Sequence, residues 1–122
     1  MKPFLILIAS LLIFSTSKAQ QASEFFDTLQ YNFGVLHQHD SAVHYFHFVN
    51  KSKTDMIIED VKSTCSCTAS DYPKVPVKPG EKSYIKVTFD PTDKEGHIAK
   101  GVNLMTNLGE INIIIFAEVH AH

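Results

Sequence analysis

The sequence predicts an all-β domain, an antiparallel sandwich of about seven strands, and three observations point to it. Short runs of β-favouring residues follow one another from Tyr31 to Val119, several alternating apolar and polar. Turn residues close these runs, at Asn50–Asp55, Pro79-Gly80, Asp90-Pro91 and Asn107-Leu108-Gly109. Beyond Ala19 no window carries a sustained helical apolar period, and no capping box opens one.

The first segment stands apart from that domain. Lys2 supplies a short basic region, Phe4 to Phe14 (FLILIASLLIF) is almost purely apolar, and Ser17-Lys18-Ala19 gives the small-x-small pattern of a cleavage site. The apolar run falls short of the roughly 20 residues that span a bilayer. We therefore read residues 1–19 as a cleavable signal peptide, with no transmembrane segment after cleavage and export to the periplasm or beyond the cell. No cysteine sits at the cut, which argues against a lipoprotein. Residues 20–29 read as a polar lead-in, a tether or a frayed first strand, and residues 30–120 as the sandwich domain.

Within the domain each strand has its own warrant. Tyr31–Leu36 is short and β-rich, with Gly34 marking a bulge or bend. Val43–Val49 alternates, Phe46 and Phe48 on one face against Tyr45, His47 and Val49 on the other. In Met56–Val61 the alternation slips between Ile58 and Val61, which predicts a bulge. Ser83–Phe89 is the cleanest: Ile85, Val87 and Phe89 oppose Tyr84, Lys86 and Thr88, the pattern of a half-buried antiparallel strand. Val102, Leu104 and Thr106 share a face of Ile98–Thr106. In the last strand Ile111, Ile113, Ile115, Ala117 and Val119 form one face, while Ile114 and Phe116 on the other suggest a middle covered on both sides.

Composition narrows the function classes. The 122-residue chain carries a formal net charge of −2, and its signal segment holds two lysines and no acid, so the exported part is more acidic still. Nucleic acid demands a basic patch and anionic lipid a polybasic one, so neither is expected as a partner. There is no G-x-S-x-G elbow, H-E-x-x-H, P-loop or dinucleotide fingerprint. Glu59-Asp60 would point to opposite faces of a strand and could not share acid and base work. An enzyme is not expected.

At the centre of the sequence, Val61-Lys62-Ser63-Thr64-Cys65-Ser66-Cys67-Thr68, Tyr72-Pro73, Pro79-Gly80-Glu81 and Ile85–Pro91 carry a likeness: with these motifs the chain resembles a bacterial exported family, domain of unknown function 1573. The likeness extends to Tyr31–Leu36 and Phe46–Asn50 in the opening strands, and to Gly96–Lys100 and Thr106-Asn107 in the closing ones. The resemblance implies an immunoglobulin-like sandwich of the major-sperm-protein-like group, and no activity is established for that family. Two positions depart from its pattern. Ser66 stands where the family has glycine, and Gly101 where it has a β-favouring residue. A glycine with positive φ would leave Ser66 strained or the loop differently shaped.

Cys65 and Cys67 are the only cysteines, in a chain read as exported to where disulfides persist. In a regular strand their Cα atoms would lie about 6.6–6.8 Å apart, at the limit for a disulfide. A Cys65–Cys67 bridge therefore needs a bent loop, and its small ring would be strained and easily reduced. Three readings stay open: a structural pair, a redox-active dithiol, and a soft-metal site for copper or zinc. His37-Gln38-His39 and His120-Ala121-His122 each place two imidazoles on one side of an extended chain, and both also read as solvated ends. His44 and His47 sit on opposite faces of one strand. Asn50-Lys51-Ser52 fits a glycosylation sequon, and Asp27-Thr28-Leu29 and Asp40-Ser41-Ala42 fit a short bacterial O-glycosylation pattern.

The expected function is a non-catalytic binding or scaffolding module of the periplasm or cell surface, recognising a protein or another cell-envelope component. The alternative is a small exported metal-binding or thiol-redox protein using Cys65 and Cys67. The final strand would serve strand addition at a sheet edge, and pack the core if central.

Overall fold

A computed structural model describes residues 21–121; residues 1–20, which include the signal peptide expected over 1–19, and His122 lie outside the described residues. The strands are β1 (Gln30–His37), β2 (Ala42–Val49), β3 (Ile58–Ser63), β4 (Thr68–Asp71), β5 (Lys82–Phe89), β6 (Gly96–Thr106) and β7 (Gly109–His120). One sheet has the order β1-β7-β6-β3 and the other β2-β5-β4. The fold is a two-sheet sandwich, as the alternation implies, of the immunoglobulin-like kind that the family resemblance implies. Every ladder is antiparallel except β1 with β7, which is parallel. β4 had no sequence signal, because Thr-Ala-Ser-Asp is too short and polar to show alternation; its pairing with β5, from Thr68 opposite Phe89, defines it.

The inward faces are those that alternation marked. Phe46 and Phe48 of β2 and Ile85, Val87 and Phe89 of β5 meet Val102 and Leu104 of β6 and the odd-numbered residues Ile111 to Val119 of β7. Each fully buried side chain of this kind contributes about 1.5–3 kcal/mol of transfer free energy, so the β7 row is the largest single share of the core. β7 lies between β1 and β6. Its backbone is paired on both sides, which removes it as a site for strand addition and fits its half-buried Ile114 and Phe116.

Both anticipated bulges are present. The β1–β7 register shifts between Asn32 and Val35, where Gly34 adopts φ +76° and donates its amide to Asn32 Oδ1 at 2.8 Å. The β3–β6 register shifts between Ile58 and Asp60. The lead-in differs from the expected tether. Ala22–Phe25 forms a single 3-10 turn, Ala22 donates its amide to Leu108 O at 3.1 Å, and Ala22 and Phe25 are buried in the core. Phe26 stacks on Phe48 with ring centroids 4.8 Å apart. The stretch is polar by composition, but its apolar residues cluster at one place and close the sandwich there.

β1, β3 and β7 run in one direction, so the β1–β2, β3–β4 and β5–β6 loops and the end of β7 gather at one end of the sandwich. The opposite end is fastened by Asn50. Its side-chain amide donates to Thr54 O and Val77 O, both at 2.8 Å, and its Oδ1 accepts from Ser52 N at 2.9 Å and Ser52 Oγ at 2.6 Å.

Candidate functional site

The cysteines occupy the β3–β4 crossover between the sheets. Thr64 fixes the start of this loop: its amide donates to Gly101 O at 3.0 Å and its hydroxyl accepts from Gly101 N at 3.0 Å. The glycine that weakens β6 by composition thus has its backbone held by the loop. Thr68 then turns the chain, its amide and hydroxyl donating to Cys65 O at 3.2 and 3.1 Å. The turn brings the two Cα atoms to 5.1 Å, and Cys65 and Cys67 are joined by a disulfide. Both are half-buried, with Ser66 exposed between them and Cys67 against the core. Among the described non-glycine residues only Asp93 has positive φ, so Ser66 carries no left-handed strain and the loop takes a shape that suits serine.

A run of hydrogen bonds leads from this loop to the histidines. Asp90 N donates to Cys67 O at 2.8 Å, Thr92 N to Asp90 Oδ1 at 3.0 Å, Thr92 Oγ1 to Gln38 O at 3.4 Å, and Gln38 Nε2 to Lys94 O at 2.9 Å. The Thr92 amide, then its hydroxyl, hold the Asp90 carboxyl below the usual carboxylate range. The parallel β1–β7 register makes His37 and His120 Cα partners, so two histidines from separate motifs become neighbours. Among the described residues no three His, Cys, Asp or Glu side chains converge in metal-ligating geometry. Among the described residues, then, no histidine joins Cys65 and Cys67 in such a group.

A second feature escaped the sequence reading. The outer face of the β2-β5-β4 sheet carries Val43, Tyr45, His47 and Tyr84, with Tyr45 42% and Tyr84 45% exposed. Tyr45 and Tyr84 meet edge to face with centroids 5.1 Å apart, and His47 lies 6.0 Å from Tyr84. Lys86 Nζ sits 6.0 Å over the Tyr45 ring. Shallow clefts flank the patch, one lined by Asp71, Tyr72, Pro73, Ser83 and Tyr84, the other by Asp27, His47, Phe48, Val49, Lys82 and Ser83. The signal was available in the alternation, since Tyr45, His47 and Tyr84 were assigned outward; what alternation lacked was the β2–β5 register, which sets His47 opposite Tyr84.

His44, on the inward side of β2, reaches the open side of the sandwich and stacks on Tyr31 at 3.7 Å and 10°. Burial, and secondarily the charge of His47, push its pKa below 6.5.

A family model described as protein of unknown function DUF1573 matches residues 25–119. No curated protein matches the chain. Solved structures that share the fold include a protein of unknown function from Porphyromonas gingivalis W83, at 15% identity and TM-score 0.65 over 84% of this chain and 51% of that one, so the chain spans about half its length. The ASH/PapD-like domain 7 of human CEP192 is similar at 8% identity and TM-score 0.67, covering 83% of this chain and 88% of that domain. The CupB2 chaperone of Pseudomonas aeruginosa is similar at 9% identity and TM-score 0.56, covering 78% and 55%.

Proposed function

The chain belongs to the DUF1573 family, and from that premise we propose that it is a non-catalytic binding module, exported to the periplasm or cell surface, which docks a protein partner of the envelope. The observation that carries this reading is the exposed aromatic face of Val43, Tyr45, His47 and Tyr84. Tyrosines give large, rigid contact area at small entropic cost and are enriched in binding hot spots. Among the described residues no helix is long enough and apolar enough to cross a membrane. The likeness to a chaperone supports a binding role only through the fold.

The test is site-specific photo-crosslinking in intact cells. A photoreactive residue at Tyr84 should yield one defined adduct, and Tyr45→Ser should abolish it. The same group at Met105, exposed on β6 of the other sheet, should give none. No adduct from Tyr84, or equal adducts from both positions, would sink the docking face. Recovery of the protein from the cytoplasm with residues 1–19 attached would sink the export reading.

A thiol-redox role is a second reading, favoured by the half-buried disulfide beside exposed Ser66. Reduction would take two electrons and two protons from a dithiol donor and leave two thiols. Titration against a dithiothreitol couple should then show the bridge opening well before a buried structural disulfide would; persistence at strongly reducing poise removes this reading.

A further inference from the structure

His37 and His120 come from the two His-x-His motifs, which lie at distant points of the sequence. The parallel ladder sets them side by side, where β1 and β7 end together. Both side chains are about half exposed, at 52% and 49%, so water and ions reach them. Their ring centroids are 6.1 Å apart at an interplanar angle of 83°. A metal sits about 2.0–2.1 Å from a ligating imidazole nitrogen, so small side-chain rotations bring both rings onto one ion.

Two carboxylates complete the arrangement. Asp40 Oδ2 lies 3.6 Å from His37 Nδ1, and Glu118 Oε1 lies 3.3 Å from His120 Nε2. The two carboxylates add negative charge beside the imidazoles, which favours a cation there. Asp40 Oδ2 also accepts the His37 amide at 2.7 Å, so the loop that presents the ring is braced by the same group.

We propose that His37 and His120 clamp a divalent transition-metal ion of the imidazole-favouring class, Zn(II) or Cu(II), at the loop end of the sandwich. The site is separate from Cys65 and Cys67, whose sulfurs are joined to each other, and from the aromatic face. Two imidazoles with water in the remaining positions make a moderate-affinity site, with Cu(II) held more tightly than Zn(II).

The experiment is calorimetric titration of the untagged exported protein, disulfide intact, with Zn(II) and then Cu(II). One equivalent should bind. His37→Ala should lower affinity by at least about tenfold, the scale on which even supporting groups act, and His120→Ala likewise. Cys65→Ser/Cys67→Ser should leave affinity unchanged, which separates this site from a thiolate one. Copper-induced broadening should first erase the ring resonances of His37 and His120. The proposal is overturned by absence of binding, or by binding that His37→Ala leaves intact, since the terminal motif would then act alone. Loss of binding in the cysteine variant overturns it too. Circular dichroism of each variant checks that the sandwich is retained.

Discussion

Asn50 is fully buried, with both amide hydrogens and its carbonyl oxygen engaged. Replacing it by alanine removes four hydrogen bonds, worth about 0.5–1.5 kcal/mol each; Ser52 N loses its acceptor, while Thr54 O and Val77 O keep Ser52 Oγ and Met56 N as donors. We expect Asn50→Ala to lower stability by about 3 kcal/mol in urea unfolding, with exposed Lys51→Ala within about 0.5 kcal/mol of wild type. The same burial settles the sequon: no glycan fits on Asn50 of the folded protein. His44 makes a prediction of opposite kind. Its pKa is below the unfolded value of 6.5, so the unfolded chain takes up its proton first. Stability should therefore fall as pH drops through about 6.5 and level off below the folded pKa. Melting curves between about pH 7.5 and 5 should show this decline, and His44→Gln should flatten it. Neither role could be read from type alone, since burial of an asparagine and stacking of a histidine are set by neighbours distant in sequence.

Two glycines in paired strands have opposite demands. Gly34 holds φ +76° at the β1 bulge, where a side chain strains the backbone by about 1–2 kcal/mol. Gly101 has no such φ, and an added Cβ would meet Thr64 Cγ2 at 3.6 Å and Ile113 O at 3.9 Å, ordinary contacts. Gly34→Ala should destabilise by about 1 kcal/mol and Gly101→Ala stabilise by about 0.4–1 kcal/mol, read from midpoints of chemical unfolding. Alternation made β2, β5 and β7 legible because each buries one face of a long run. β4 was illegible because four short polar residues are a strand only by virtue of β5 beside them. The parallel mate of β7 was hidden for the same reason: pairing partners are a property of the fold, and a strand's sequence shows only its faces.

For the whole molecule, the lead-in matters more than its composition promised. Phe25 is 2% exposed and packs in the core, so Phe25→Ala should cost about 3 kcal/mol, and scanning calorimetry of that variant should show a melting temperature several degrees lower. A tether would give no change. The class of fold was legible because two faces of contrasting polarity recur along the chain. The arrangement of candidate sites was not. Cys65 and Cys67 stood out by type, yet the His37–His120 meeting and the Tyr45–Tyr84 face exist only through register.

The parallel pairing of β1 with β7 also governs timing. Gln30 must find Ile114, and His37 must find His120, so the first strand of the larger sheet has no permanent place until the last has been made. A chain arrested before β7 would hold the antiparallel neighbours β2 and β5 but lack the centre of its other sheet. Such long-range closure slows folding, and it leaves the larger sheet without its centre, and β1 without a neighbour, until β7 has been made.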